Sequence, residues 1–308
     1  MHLGHVAVCD ASGRLVAWAG DPAHAAFVRS CMKPVQAAVS LAAIGDMPLT
    51  DAQIAVMCAS HNGEPVHLRT VKSLLRRGGL TPADLRTPAD RPLDPSAAAG
   101  VRTPTPLHHN CSGKHAGMLV ACVRRGWPTP TYRSRGHPLQ RRVLTAVRTL
   151  SGVEPLVGVD GCGVPVHGMP VRAIATMYAR ACTSVGVAAL DPNLRRALDA
   201  MRAHPYLVGG RDRADTAVML AVPGVVMKEG AEALVCAAIP GAGLGIALKV
   251  ADGGWRAAGP AMIAVLHRLG LLGSPATEAL REHATPPVLG GDRPVGHIEA
   301  IVDLRGRP

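Results

Sequence analysis

Ser30 and Lys33 stand three positions apart in Arg29-Ser30-Cys31-Met32-Lys33-Pro34. Residues three apart on a helix share a face, so Lys33 is expected above the Ser30 hydroxyl. A serine hydroxyl is a weak nucleophile until a nearby base takes its proton. A lysine stripped of water sheds its charge near neutral pH and can be that base. The free N–H groups of a helix start would face a developing oxyanion. That is the chemistry of acyl transfer, although the same residues also fit an N-cap serine and a solvated lysine.

Two further groups extend the pattern. Ala59-Ser60-His61-Asn62-Gly63-Glu64 holds an S-x-N, in which Ser60 could relay a proton and Asn62 could hold a substrate carbonyl. The plain alternative is a cap for the helix that follows. Lys228-Glu229-Gly230 is a K-x-G before an apolar run. In chain order the three read S-x-x-K, S-x-N, K-x-G, the motif order of serine acyl-enzymes such as β-lactamases and penicillin-binding proteins.

A second chemistry is carried by sulfur. His108-His109-Asn110-Cys111-Ser112-Gly113-Lys114-His115 contains a Gly-Lys pair but no P-loop, so nucleotide binding is excluded. Val159-Asp160-Gly161-Cys162-Gly163-Val164-Pro165 places a thiol in a glycine-rich turn open to close approach. Two cysteines with a histidine or a neutral lysine could hold Zn²⁺ and leave one position open. The C-x-x-C spacing is absent, and on the residues alone two reduced thiols in turns are the favoured reading.

Of the 33 Lys and Arg residues only five are Lys: Lys33, Lys72, Lys114, Lys228 and Lys249. Lysine can lose its proton when desolvated and arginine cannot, so the retained lysines point to sites that need a neutral amine. The formal charge of +11 suggests nucleic acid, but there is no long basic run, and seven scattered aromatics cannot build a stacking surface. A basic surface would still attract a carboxylate substrate. Eight cysteines with no preceding secretory signal read as reduced and cytoplasmic. No unbroken apolar stretch approaches twenty residues, so no membrane span is expected.

The elements that must position these groups follow from the pattern. Residues 6–18 read as a hairpin around Asp10-Ala11-Ser12-Gly13. Helices are expected over 31–44, 64–77, 115–125, 138–150, 171–188, 192–203 and 260–271, and a helix or strand over 51–58. Residues 81–106, rich in Pro, Asp and Thr, suggest an exposed excursion. Residues 156–159 read as a short buried strand, and 234–238 and 244–250 as sheet. Helices in the middle and strands at both ends predict an α+β fold whose terminal strands share one sheet.

Taken together, the segments resemble the rhizobial-type L-asparaginases of the asparaginase II family. The match runs through Arg29-Ser30-Cys31-Met32-Lys33-Pro34-Val35-Gln36, Ala59 to Glu64, Asn110-Cys111-Ser112-Gly113-Lys114-His115-Ala116-Gly117-Met118 and Asp160-Gly161-Cys162-Gly163-Val164-Pro165. A looser match covers Tyr206-Leu207-Val208-Gly209-Gly210, Asp215-Thr216 and Lys228-Glu229-Gly230. The resemblance implies one catalytic domain over 1–308 with a serine β-lactamase/glutaminase-like fold, its helical region at about 31–230. It implies hydrolysis of L-asparagine to L-aspartate and ammonia by a homodimer with no nucleic-acid or membrane partner. Ser30 and Lys33 would be the catalytic pair, with Ser60 beside them. Arg29, His61, Asn62, Asp160, His115 and Lys228 would contact substrate, Asp160 through its ammonium or a metal-bound water. Cys111, Lys114 and Cys162 would bind Zn²⁺.

Two departures stand out. Family members usually begin with a strand carrying Arg-Gly and Glu-Ser-x-His, whereas this chain opens Met1-His2-Leu3-Gly4-His5, which predicts an exposed sheet edge. Ala233 stands where the family tends to have glycine, which predicts lower stability or activity. Other readings of the same residues are a glutaminase or β-lactam hydrolase, a metallohydrolase whose zinc-bound water attacks, and a non-catalytic binding protein that keeps the fold.

Overall fold

A computed structural model describes residues 1–183 and 190–306. Two compact units divide the chain, which passes from one to the other between Cys31 and Met32.

The first unit gathers Met1–Cys31, Met169–Thr183 and the described residues from Asp212 onward. Its centre is an antiparallel six-stranded sheet. Gly4–Asp10 and Leu15–Ala19 form the expected hairpin. The Asp10 carboxylate accepts from Ser12 and Arg14 across the turn, bonds that hold its pKa down to about 2. Gly4–Asp10 also pairs with Leu244–Val250, then Leu234–Ile239, then Val226–Gly230. The two chain ends therefore do share a sheet. Both sides of Gly4–Asp10 are paired, and the outer side of Leu15–Ala19 meets the two-residue strand Arg305–Gly306.

Alternation along these strands separates two faces. A Cβ on Gly245 would come within 2.1 Å of Ala175 O, so helix Val171–Thr183 lies directly on that face. Cys9, the register partner of Gly245, donates its thiol to Arg172 O at 3.5 Å. Val6, Leu248 and Val250 face the other way, toward Ala257, Pro260 and Ala261 of helix Trp255–Arg268. That helix begins before Pro260 and not at it. Proline suits a first helical turn, but here it lies inside and removes one backbone bond. Residues 184–188 of the expected 171–188 helix lie outside the described residues.

The second unit comprises Met32–Gly168 and the described residues up to Arg211. It is built around helix Lys33–Ile44, buried everywhere except at Ala42. Alanine, valine and leucine on all sides suit a helix enclosed by others. Helices Asp51–Met57, Ser112–Arg125, Pro138–Ser151 and Asp191–Ala203 pack around it. Residues 81–106 carry only the 3₁₀ turn Pro82–Asp84, the short helix Pro95–Ala99 and one bridge, Asp90 to Thr105. Leu156–Val159 is a strand, paired with Pro165–Pro170, but it is not buried. Leu156 is 71% and Val159 79% exposed, because the hairpin leaves these side chains outward and apolar type alone does not bury them. All eight cysteines are free. Among the described residues no helix is long and apolar enough to cross a membrane.

Candidate active site

In the second unit the structure brings Lys33 and Ser60 together. The Lys33 side chain is wholly buried, and its Nζ donates to Ala59 O at 2.6 Å and Ser60 Oγ at 2.7 Å. Backbone bonds fix the segment holding Ser60: Ser60 N to Val208 O, His61 N to Asn110 O and Asn62 N to Gly209 O. Glu64 locks the partner segment, accepting from Tyr206 OH at 2.5 Å and Arg211 N at 3.1 Å. Asn62 Nδ2 donates to Arg211 O at 2.8 Å. Gly210 has φ 123°, and a Cβ there would meet Glu64 Oε1 at 2.6 Å, so glycine is required.

His61 is buried with both ring nitrogens engaged. Gly63 N donates to Nδ1 at 3.1 Å, so Nε2 carries the hydrogen and donates to Ser112 Oγ at 2.9 Å. Burial, then the neighbouring His67 and Lys33, hold its pKa well below the ordinary imidazole value. Its polar atoms therefore serve the protein, tying the Ser60 segment to the start of helix Ser112–Arg125. His115 is also buried and kept neutral, by burial and then Lys114. Its Nδ1 meets Tyr132 OH at 2.6 Å, while Nε2 has no protein partner.

The sulfur groups also converge. Lys114 Nζ donates to Cys162 Sγ at 3.0 Å, and Cys162 Sγ lies 3.5 Å from Asp160 Oδ2. Cys111 Sγ lies 3.0 Å from Asn110 Oδ1. A hydrogen bond from Cys162 pulls the Cys111 thiol well below its ordinary pKa against the opposing effect of burial, helped by Lys33 and Lys114. The same bond, then burial, pushes Cys162 up. Burial disfavours charge on Lys114, but Cys162, Cys111 and Asp160 outweigh it and raise its pKa. The arrangement brings two sulfurs and an amine together, with the bond between the sulfurs favouring ionisation of Cys111 over that of Cys162. Among the described residues no three His, Cys, Asp or Glu side chains gather as a metal site. Two soft sulfurs and an amine nonetheless form a donor set that fits a borderline-soft divalent ion, provided Lys114 gives up its proton.

In the first unit, Ser30 is half-buried in a one-turn 3₁₀ helix, Arg29–Met32, which leads into helix Lys33–Ile44. Arg29 has φ 49° and donates to Glu232 Oε1 at 2.7 Å. The expected helix thus begins as a tighter turn. Within it Cys31 N–H is engaged by Val28 O, and Pro34 has no N–H to offer an oxyanion. Lys228 is wholly buried, with Nζ donating to Asp215 Oδ2 at 3.0 Å and Glu229 O at 2.8 Å. Arg213 Nε donates to Glu229 Oε2 at 2.8 Å. Burial works to raise the Asp215 pKa, yet Lys228 and Arg213 bring it down to about 2. Burial and the Asp215 carboxylate push Glu229 up to about 7. Motif reading missed Arg213, Asp215 and Glu64 as partners. The available signal was a Lys-Glu pair inside the apolar strand Val226–Gly230, since buried charges need counter-charges.

The fold is of the serine β-lactamase/glutaminase-like class, a helix-backed antiparallel sheet with a helical unit that presents a buried lysine to a serine. The chain belongs to the L-asparaginase II family, an amidohydrolase family whose model matches residues 1–300, across both units. The crystal structure of Mglu in its native form in 4.3 M NaCl aligns with 87% of this chain and 60% of its own, at 17% identity and TM-score 0.51. Another native-form structure of Mglu aligns with 91% of this chain and 65% of its own, at 16% identity and TM-score 0.49. A probable glutaminase from Bacillus subtilis, complexed with 6-diazo-5-oxo-L-norleucine, aligns over 87% and 84%, at 13% identity and TM-score 0.45. The chain thus spans less than two thirds of these two Mglu chains, and its likeness to the first is one of fold. No curated protein matches the chain.

Proposed function

We propose that the protein hydrolyses L-asparagine to L-aspartate and ammonia through a Ser30–Lys33 pair. The observation that carries this reading is the wholly buried Lys33 amine resting on Ser60 Oγ and Ala59 O, three residues along the chain from Ser30. A lysine without water around it is disposed to lose its charge and act as a base. Neutral Lys33 Nζ takes the Ser30 proton as Ser30 Oγ bonds to the side-chain amide carbon. Backbone N–H groups near Ser30, other than that of Cys31, hold the oxyanion. The proton returns from Lys33 through Ser60 to the amide nitrogen, the C–N bond breaks, and ammonia leaves an aspartyl ester on Ser30. Water gives its proton to Lys33 as it attacks the ester carbon, Lys33 returns that proton to Ser30 Oγ as the C–O bond breaks, and aspartate leaves.

Asn62, Arg29 and Asp160 are the proposed substrate contacts with polar groups suited to an amino acid's carbonyl, carboxylate and ammonium. His61 is proposed as a strut behind Ser60. His115 offers Nε2, and Lys228 acts through its pairing with Asp215. Cys111, Cys162 and deprotonated Lys114 would hold Zn²⁺, which when bound supplies a positive centre for orienting substrate or polarising a carbonyl. A homodimer in the cytoplasm is the proposed setting.

The test is ammonia release measured with L-asparagine and L-glutamine, beside penicillin hydrolysis. Asparagine is expected to exceed the other two in kcat/KM by at least about tenfold. Preference for glutamine or penicillin would overturn the substrate assignment while leaving the serine chemistry in place.

A further inference from the structure

The turn carrying Ser30 is held by contacts that this scheme leaves unused. Cys31 Sγ donates to Lys228 O at 3.1 Å and lies 3.5 Å from Leu234 O. Tyr178 OH donates to Cys31 O at 2.6 Å, and Cys31 N donates to Val28 O at 3.1 Å. Cys31, Tyr178 and Lys228 are all buried. A Cβ on Gly230 would lie 3.0 Å from Cys31 Sγ and 3.2 Å from Cys31 N. Strand Val226–Gly230 therefore approaches the turn this closely because residue 230 has no side chain. On the other side of Ser30, Arg29 is held at φ 49°, in a region uncommon for residues with a side chain. Such a conformation persists where the surroundings over-determine it.

We propose that Cys31 and Tyr178 are positioning residues for the nucleophile. The thiol hung on the Lys228 carbonyl, and the Tyr178 hydroxyl on the Cys31 carbonyl, fix the residue that follows Ser30 and thereby aim its hydroxyl. This inference rests on Ser30 being the nucleophile. It gives the K-x-G segment a backbone role: Lys228 acts through its carbonyl and Gly230 through its missing Cβ, while the Lys228 ammonium is held by Asp215. A thiol is a weak donor. Small energies still matter here, because a displacement of about 1 Å can cost on the order of a hundredfold in rate.

Three substitutions separate aiming from packing. Cys31→Ala removes the donor, Cys31→Ser keeps one, and Tyr178→Phe removes only a hydroxyl. Ammonia release from L-asparagine and thermal melting are measured for each, with Ser30→Ala in the same assay. Cys31→Ala and Tyr178→Phe are each expected to lower kcat at least about tenfold with KM changed less than about threefold. Cys31→Ser is expected to recover kcat to within about threefold of the parent. Folded Tyr178→Phe with kcat within about twofold of the parent would overturn the inference. So would a folded Cys31→Ser with kcat lowered at least about tenfold, because the thiol would then act by packing. Should Cys31→Ala fail to fold, these two variants decide the matter. An inactive Ser30→Ala beside an unimpaired Tyr178→Phe removes this inference alone, whereas a fully active Ser30→Ala removes the nucleophile assignment as well.

Discussion

Lys33 and Lys228 are both fully enclosed, yet their partners differ in kind. Lys33 Nζ touches a hydroxyl and a carbonyl, which are neutral, whereas Lys228 Nζ touches the Asp215 carboxylate. A buried charge is tolerated where it is paired, and Lys228 meets that condition through Asp215. Ala233 offers a separate test at this scale. Its φ of 54° costs a residue with a side chain roughly 1–2 kcal/mol. Its buried methyl contributes about 0.8 kcal/mol, and a glycine would add unfolded-state freedom of about 0.4–1 kcal/mol. These magnitudes nearly cancel, so Ala233→Gly is expected to shift urea-melt stability by less than about 1 kcal/mol in either direction. A gain above about 2 kcal/mol would show that the left-handed alanine is a real defect of this chain. Lys33 and Ser60 were legible through their S-x-x-K and S-x-N motifs, whereas Cys111, Lys114 and Cys162 came together only through the family resemblance. The bonds from Cys31 to Lys228 and from Tyr178 to Cys31 were not legible, because partners 197 and 147 positions apart leave no local pattern.

At the scale of elements, close approach between helices sets the spacing of the candidate groups. A Cβ on Gly113 would lie 2.1 Å from Val56 O, so helix Ser112–Arg125 rests directly on the backbone of Asp51–Met57. One helix carries Lys114, and the other runs into Ser60. Gly113→Ala must push them apart, and a destabilisation of roughly 1–3 kcal/mol is expected in chemical denaturation. A variant as stable as the parent would show that this contact can relax. The hairpin, the long helices and the shared sheet were legible from period and turn residues. Where the reading failed, a local rule met a tertiary circumstance. Residues 156–159 looked buried because they are apolar, and Pro260 looked like a helix start because proline favours that place.

At the scale of the whole molecule, buried neutral histidines shape the response to acid. Burial lowers the pKa of His167 to about 4, from an ordinary value near 6.5, and His167 Nδ1 has no protein partner. His61 and His115 are depressed further in the same direction. A base whose pKa falls on folding contributes stability that is complete above its unfolded value. That stability drains away as pH falls from about 6.5 through about 4. Urea midpoints are expected to drop across that window, with His167 accounting for up to about 3 kcal/mol. His167→Gln should flatten the dependence, and an unchanged slope would remove His167 from the account. The family match spans both units. The most direct measurement is ammonia release from L-asparagine by the parent and by Ser30→Ala, with zinc content determined on the same samples. The serine mechanism predicts steady turnover by the parent and a loss of several orders of magnitude in the variant at equal zinc content. A Ser30→Ala protein that releases ammonia at the parental rate would contradict it.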